Sequence, residues 1–78
     1  MNKPRRTMIH RAMDMIEEAM IMLEDAKNEE DEALGNLPEN LQDSERAVTM
    51  QGNVDTMDDC LSVLEDVMSE LLAVIEEG

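Results

Sequence analysis

Twenty Asp and Glu residues against six Lys and Arg are the material from which any chemistry of this chain has to be built. Their spacing is regular. Acidic doublets recur every seven residues, as Glu17-Glu18, Glu24-Asp25 and Asp31-Glu32 in the first half and Asp58-Asp59 and Glu65-Asp66 in the second. On a helix each doublet advances about 10.5 Å, at ~1.5 Å per residue. Carboxylates in such rows can hold cations, move protons, or present a negative surface to a basic partner.

The first two uses fail on the residues around them. Glu29 with Glu32 and Asp55 with Asp58 offer i,i+3 acids, as in the carboxylate-only magnesium sites of all-helical nucleotide pyrophosphatases. No aromatic side chain and, Lys27 apart, no basic one lies near them in sequence to hold a nucleotide. Asn53 to Asp58 lacks the glycine and terminal glutamate of a calcium loop. No Glu-x-x-His pair exists for a di-iron bundle site. His10 is the sole histidine and Cys60 the sole cysteine, with no nucleophile and base in a recognisable pattern. Cys60 on a helix flank reads as a structural thiol. The nine Met residues could be soft copper ligands, but their heptad placement makes them packing residues. The expectation is a protein without catalytic activity, cofactor or metal.

The negative surface is the use that remains. The solvated backs of ordinary helices intersperse Lys and Arg to gain i,i+4 pairs. Here residues 1–11 hold Lys3, Arg5, Arg6 and Arg11 and no acid, while everything beyond carries the twenty acids against Lys27 and Arg46. The net charge is −14. Such a body repels nucleic acid and anionic membrane and attracts basic protein surfaces. Duplex DNA is denser, with a charge every ~1.7 Å of axis, so imitating it requires both helices or two subunits together. The residues expected to meet a basic partner are Glu17, Glu18, Glu24, Asp25, Asp31, Glu32, Asp58, Asp59, Glu65 and Asp66.

These acids need helices to position them. From Ala47 to Ile75, apolar residues fall at Ala47, Met50, Val54, Met57, Leu61, Leu64, Met68, Leu71 and Ile75. The alternation of three and four is the stripe one helix presents to another. Between Met8 and Leu34 there are four apolar rows: Ala12, Ala19, Ala26 and Ala33; Ile9, Ile16 and Leu23; Met8, Met15 and Met22; and Met13, Met20 and Leu34. One antiparallel neighbour covers only about two rows of seven. In the second helix Cys60, Val67 and Val74 likewise add a row beside the main stripe. The fold expected is all-α, an antiparallel, coiled-coil-like two-helix hairpin that dimerises into a four-helix bundle. Met8, Met13, Met15, Met20, Met22, Cys60, Val67 and Val74 are the expected oligomer interface.

The boundaries follow from breakers and caps. Residues 1–7 read as a flexible basic arm, with Thr7 as N-cap and Pro4 outside the helix. Residues 8–78 form one helical-hairpin domain: helix 8–34, turn 35–43, helix 44–77. Gly35 is placed for a left-handed C-cap, Leu37 and Leu41 for plugging the open end, and Ser44 for capping the second helix. Gly52 lies inside that helix, on a face read as exposed. At 78 residues, with no Phe, Tyr or Trp, one hairpin supports only a thin core. A lone cysteine, no apolar run of membrane-spanning length and no signal-peptide core point to a cytoplasmic protein.

The segment Leu37-Pro-Glu-Asn-Leu-Gln-Asp-Ser-Glu-Arg46, followed by Met50, Val54-Asp55 and heptads to residue 68, resembles a family of short acidic proteins of Firmicutes-type bacteria, their phages and mobile elements. No settled activity comes with that family. The resemblance implies a helical hairpin of phage or mobile-element origin, working in the cytoplasm of a bacterial host cell. The Met richness and the basic arm depart from it. Two functions are therefore expected in order: an inhibitor that occupies the basic nucleic-acid-binding surface of a host or defence protein, and an adaptor or assembly protein that binds partner helices through its Met and Ala rows. Neither touches nucleic acid or membrane directly.

Overall fold

Asn2 starts the first helix. Its Oδ1 accepts a hydrogen bond from the Arg5 backbone N–H at 3.0 Å in the computed structural model, which describes residues 1–77. Helix α1 runs Lys3–Gly35 and helix α2 runs Glu45–Glu77, each of 33 residues. Between them lies a single 3₁₀ turn at Glu39–Leu41. The molecule is the expected all-α antiparallel hairpin.

Thirty-three helical residues span about 50 Å, and the overall extents are 59 × 15 × 12 Å. The Cα radius of gyration is 17.7 Å, against about 11.5 Å for a compact domain of this length. Among the described residues the molecule is one helix pair thick, with no third layer.

The expected stripe on α2 packs against α1. In α1 the half-buried positions are Arg6, Ile9, Met13, Ile16, Met20, Leu23, Lys27, Glu30 and Leu34, again alternating three and four. Two contacts across the pair fix the register. Lys27 Nζ lies 3.2 Å from Asp58 Oδ1, and Asn53 Nδ2 donates to Glu30 Oε2 at 3.0 Å. Carried along an antiparallel pair, that register brings Leu23 to the level of Leu61 and Ile9 to the level of Ile75. The buried residues, Ala47, Met50, Leu61 and Ile75, all belong to α2, and α1 contributes none.

Several boundaries differ from expectation for identifiable reasons. The helix begins at Lys3 rather than Met8, so residues 3–7 are not a flexible arm. Pro4 sits in the first turn, where the missing N–H has no intrahelical partner to lose. Thr7 does not cap; its hydroxyl donates to the Lys3 carbonyl from inside the helix, at 3.1 Å. Gly35 is the last residue of α1 and does not take a positive φ. The chain instead turns through Asn36, whose N–H donates to the Glu32 carbonyl at 3.0 Å. Gln42 completes this end, its Nε2 donating to the carbonyls of Leu34 (3.3 Å) and Leu37 (2.7 Å), so that a side chain from the turn satisfies orphaned helix acceptors. Leu37 is half-buried as expected, whereas Leu41 is 41% exposed and plugs nothing. Ser44 caps α2 as expected, its Oγ accepting from the Ala47 N–H at 3.2 Å.

Candidate functional site

With the seam identified, every other row of each helix has a place. In heptad terms α1 carries Met13, Met20 and Lys27 at a and Ile9, Ile16 and Leu23 at d. On α2 the a row runs through Leu61 and Met68, and the d row through Met57 and Leu64. In an antiparallel pair the e rows of both helices flank one side of the seam, and the g rows flank the other. The observed cross-contacts agree with this. Lys27 reaches the e-row Asp58 on one side, and Glu30 meets the g-row Asn53 on the other.

The five acidic doublets occupy e and f in both helices. Their e members, Glu17, Glu24, Asp31, Asp58 and Glu65, therefore converge on one flank although they come from two distant stretches of sequence, while the f members, Glu18, Asp25, Glu32, Asp59 and Asp66, lie on the outer backs of the two helices. All ten carboxylates expected to meet a partner are exposed. Along this flank a shallow groove is lined by Glu17, Glu24, Asp58 and Glu65 at its rim, with Met20, Ile21 and Leu61 beneath. Lys27 enters it, its side chain 22% exposed against 66% for its partner Asp58. An ion pair with one partner so open to water is worth about 0–1 kcal/mol, too little to neutralise the flank around it. Ile21, 58% exposed, has no heptad signal of its own and is legible as part of this groove only once the acids on either side of it are placed.

The opposite flank is apolar. From α1 it receives the g row Ala12, Ala19 and Ala26 and the c row Met8, Met15 and Met22, the three Met side chains being 67–72% exposed. From α2 it receives Cys60, Val67 and Val74, with Val63 beside them at 60% exposed. Of the residues expected to form an oligomer interface, Met8, Met15, Met22, Cys60, Val67 and Val74 thus share one face. Met13 and Met20 do not: they are half-buried in the intrachain seam, because the hairpin takes their row, next to the Ile9 row, as its own contact. The free Cys60 is exposed on the apolar flank, where it lines a shallow groove with Thr56, Val63, Leu64 and, at its edge toward the helix back, Asp59.

Among the described residues no cluster of three or more His, Cys, Asp or Glu side chains is arranged to hold a metal ion. Among the same residues no helix is long and apolar enough to cross a membrane. No protein-family model, curated protein or solved structure matches the chain.

Proposed function

We propose that the hairpin is a non-catalytic binding module whose acidic flank engages the basic, nucleic-acid-binding surface of another protein and so inhibits it. The observation that carries this reading is the gathering of the exposed e-row carboxylates Glu17, Glu24, Asp31, Asp58 and Glu65 from two helices onto one flank, with the five f-row acids on the helix backs beside it. Beyond Arg11 the chain has only Lys27 and Arg46 to offset its acids. Like-charge rows at i,i+7 and across the seam cost stability, and helix pairs that need only solubility dilute them with Lys and Arg. The groove adds shape to charge. Its floor of Met20, Ile21 and Leu61 suits the aliphatic stem of a Lys or Arg whose head group meets the rim carboxylates. A phage or mobile-element origin, acting inside a bacterial cell against a host or defence protein, fits this use. In the same reading two hairpins pair into a four-helix bundle through their apolar flanks, which leaves the acidic flanks outward.

A second reading is favoured by the exposure of Met8, Met15 and Met22. Flexible Met side chains adapt to varied surfaces, and an adaptor would bind partner helices through this flank. The two readings separate in one experiment. Proteins captured on the immobilised hairpin are eluted by salt, and the eluted protein is tested for nucleic-acid binding with and without the hairpin. Inhibition predicts elution by moderate salt, a nucleic-acid-binding partner displaced from its ligand, and loss of both with Glu17→Gln, Glu24→Gln and Glu65→Gln combined. Capture that survives high salt and is lost with Met15→Glu would contradict the inhibitor and establish the adaptor.

A further inference from the structure

We infer that the second copy of this chain seats on the apolar flank with its long axis reversed, α1 against the partner's α1 and α2 against the partner's α2. The inference rests on the dimer reading above and adds its geometry, which nothing in the hairpin's own packing requires.

The first support is area. The hairpin exposes 5937 Å², whereas a compact protein of 8.8 kDa exposes about 4,800 Å². The excess, about 1,100 Å², is of the size that a stable dimer removes from each partner, roughly 800 Å². Among the described residues Met8, Met15, Met22, Val63 and Val74 are the exposed large apolar side chains on this flank, while Ile21, Val48 and Leu72 lie off it.

The second is the fit of that flank to its own reverse. Its α1 half consists of a row of large side chains, Met8, Met15 and Met22, beside a row of small ones, Ala12, Ala19 and Ala26. Reversing one copy sets each Met row over an Ala row, so that large meets small along the contact. Setting Met15 against the partner's Ala19 brings Met8 to Ala26 and Met22 to Ala12. Through the register of the hairpin, the same alignment places Val67 on the two-fold axis, with Cys60 at the level of the partner's Val74. With the turns at one end instead, α1 would lie on the partner's α2. The Met row would then run along the Cys60, Val67 and Val74 row, which offers no alanine to receive it.

The third is charge. The reversed alignment brings Arg5, in the Ala row, to Glu29, in the Met row, at both ends of the contact. More broadly, the basic end of α1 then lies level with the acidic run Glu29-Glu30-Asp31-Glu32 near the partner's turn, although only Arg5 and Glu29 stand on the contacting flank. Placing the turns together would stack those acidic runs at one pole. The basic start of the chain thereby fixes the direction in which two hairpins join.

Arg5 and Glu29 lie 24 residues apart on one helix, about 36 Å, so within a chain they cannot interact. That makes the charge exchange a clean test. Dimer dissociation is measured by light scattering and sedimentation for Arg5→Glu, Glu29→Arg and the double variant, with helicity followed by circular dichroism to confirm folding. Each single change, felt twice by symmetry, is expected to weaken the dimer roughly tenfold, and the double variant to return within about twofold of the original. A dimer indifferent to both single changes, or a double variant as weak as their product, would overturn the reversed arrangement while leaving dimerisation standing. A monomer at every concentration would overturn both.

Discussion

The two flanks of the hairpin are built by the same rule and carry opposite chemistry. Each is formed by one row beside the seam on α1 and the matching row on α2, and each extends over most of the helix pair. One flank is filled with carboxylates over a small apolar floor, and the other with Met, Ala, Val and a single Cys. A helix whose rows were merely soluble would mix these types on both sides. The separation gives a thin hairpin three distinct surfaces, the seam that folds it and two flanks of unlike chemistry. The seam is the weakest of the three: no residue of α1 is buried, and α2 buries four.

The comparison can be broken most severely at the seam that both flanks depend on. Leu61→Ala empties one of the few buried positions and is expected to cost about 2–4 kcal/mol, a large part of the stability of so small a domain. A thermal melt followed by circular dichroism should show loss of the cooperative transition near room temperature. On the apolar flank alone, Met15→Glu leaves the hairpin's own contacts intact and places a charge where the second copy is expected. Association should weaken by about 2–3 kcal/mol, read as a fall in molar mass with helicity retained in the concentrated sample. Gly52→Ala is a control outside both flanks. A Cβ there meets nothing within 4 Å, so the melt should rise by the ~1 kcal/mol that alanine gains over glycine inside a helix, with no change in mass. The smallest effect on stability belongs to the acidic flank. Glu17→Gln with Glu24→Gln and Glu65→Gln should raise stability by about 0.2–0.5 kcal/mol per relieved pair, and less as salt is added, while removing the basic partner.

The stripe on α2 is legible in the sequence because it alternates three and four without a break from Ala47 to Ile75, and the structure uses each of its positions. The seam on α1 is harder to read. Four apolar rows qualify, and the choice of the Ile9 and Met13 rows depends on which pair meets α2, a tertiary fact. Met13 and Met20 accordingly read as outer interface although they belong to the seam. The helix start escapes a sequence reading because Pro4 looks like a breaker, although in a first turn it breaks nothing, and because Asn2 caps as well as Thr7 would have. The left-handed turn expected at Gly35 is displaced by the Gln42 side chain, whose reach of five to eight residues carries no local signal. The convergence of the e-row acids follows from heptad arithmetic alone once the seam is assigned, since one member of each doublet takes that position.

The most direct test of a hairpin with one face for itself and one for others is its molar mass by light scattering at low and at high salt. Twice the 8.8 kDa of the chain is predicted in both conditions, because the apolar flanks satisfy each other and the acidic flanks point away. A single-chain mass in either condition, with weak helicity, would mean that the apolar flank awaits a foreign partner, and would contradict the assignment of the acidic flank as the working surface.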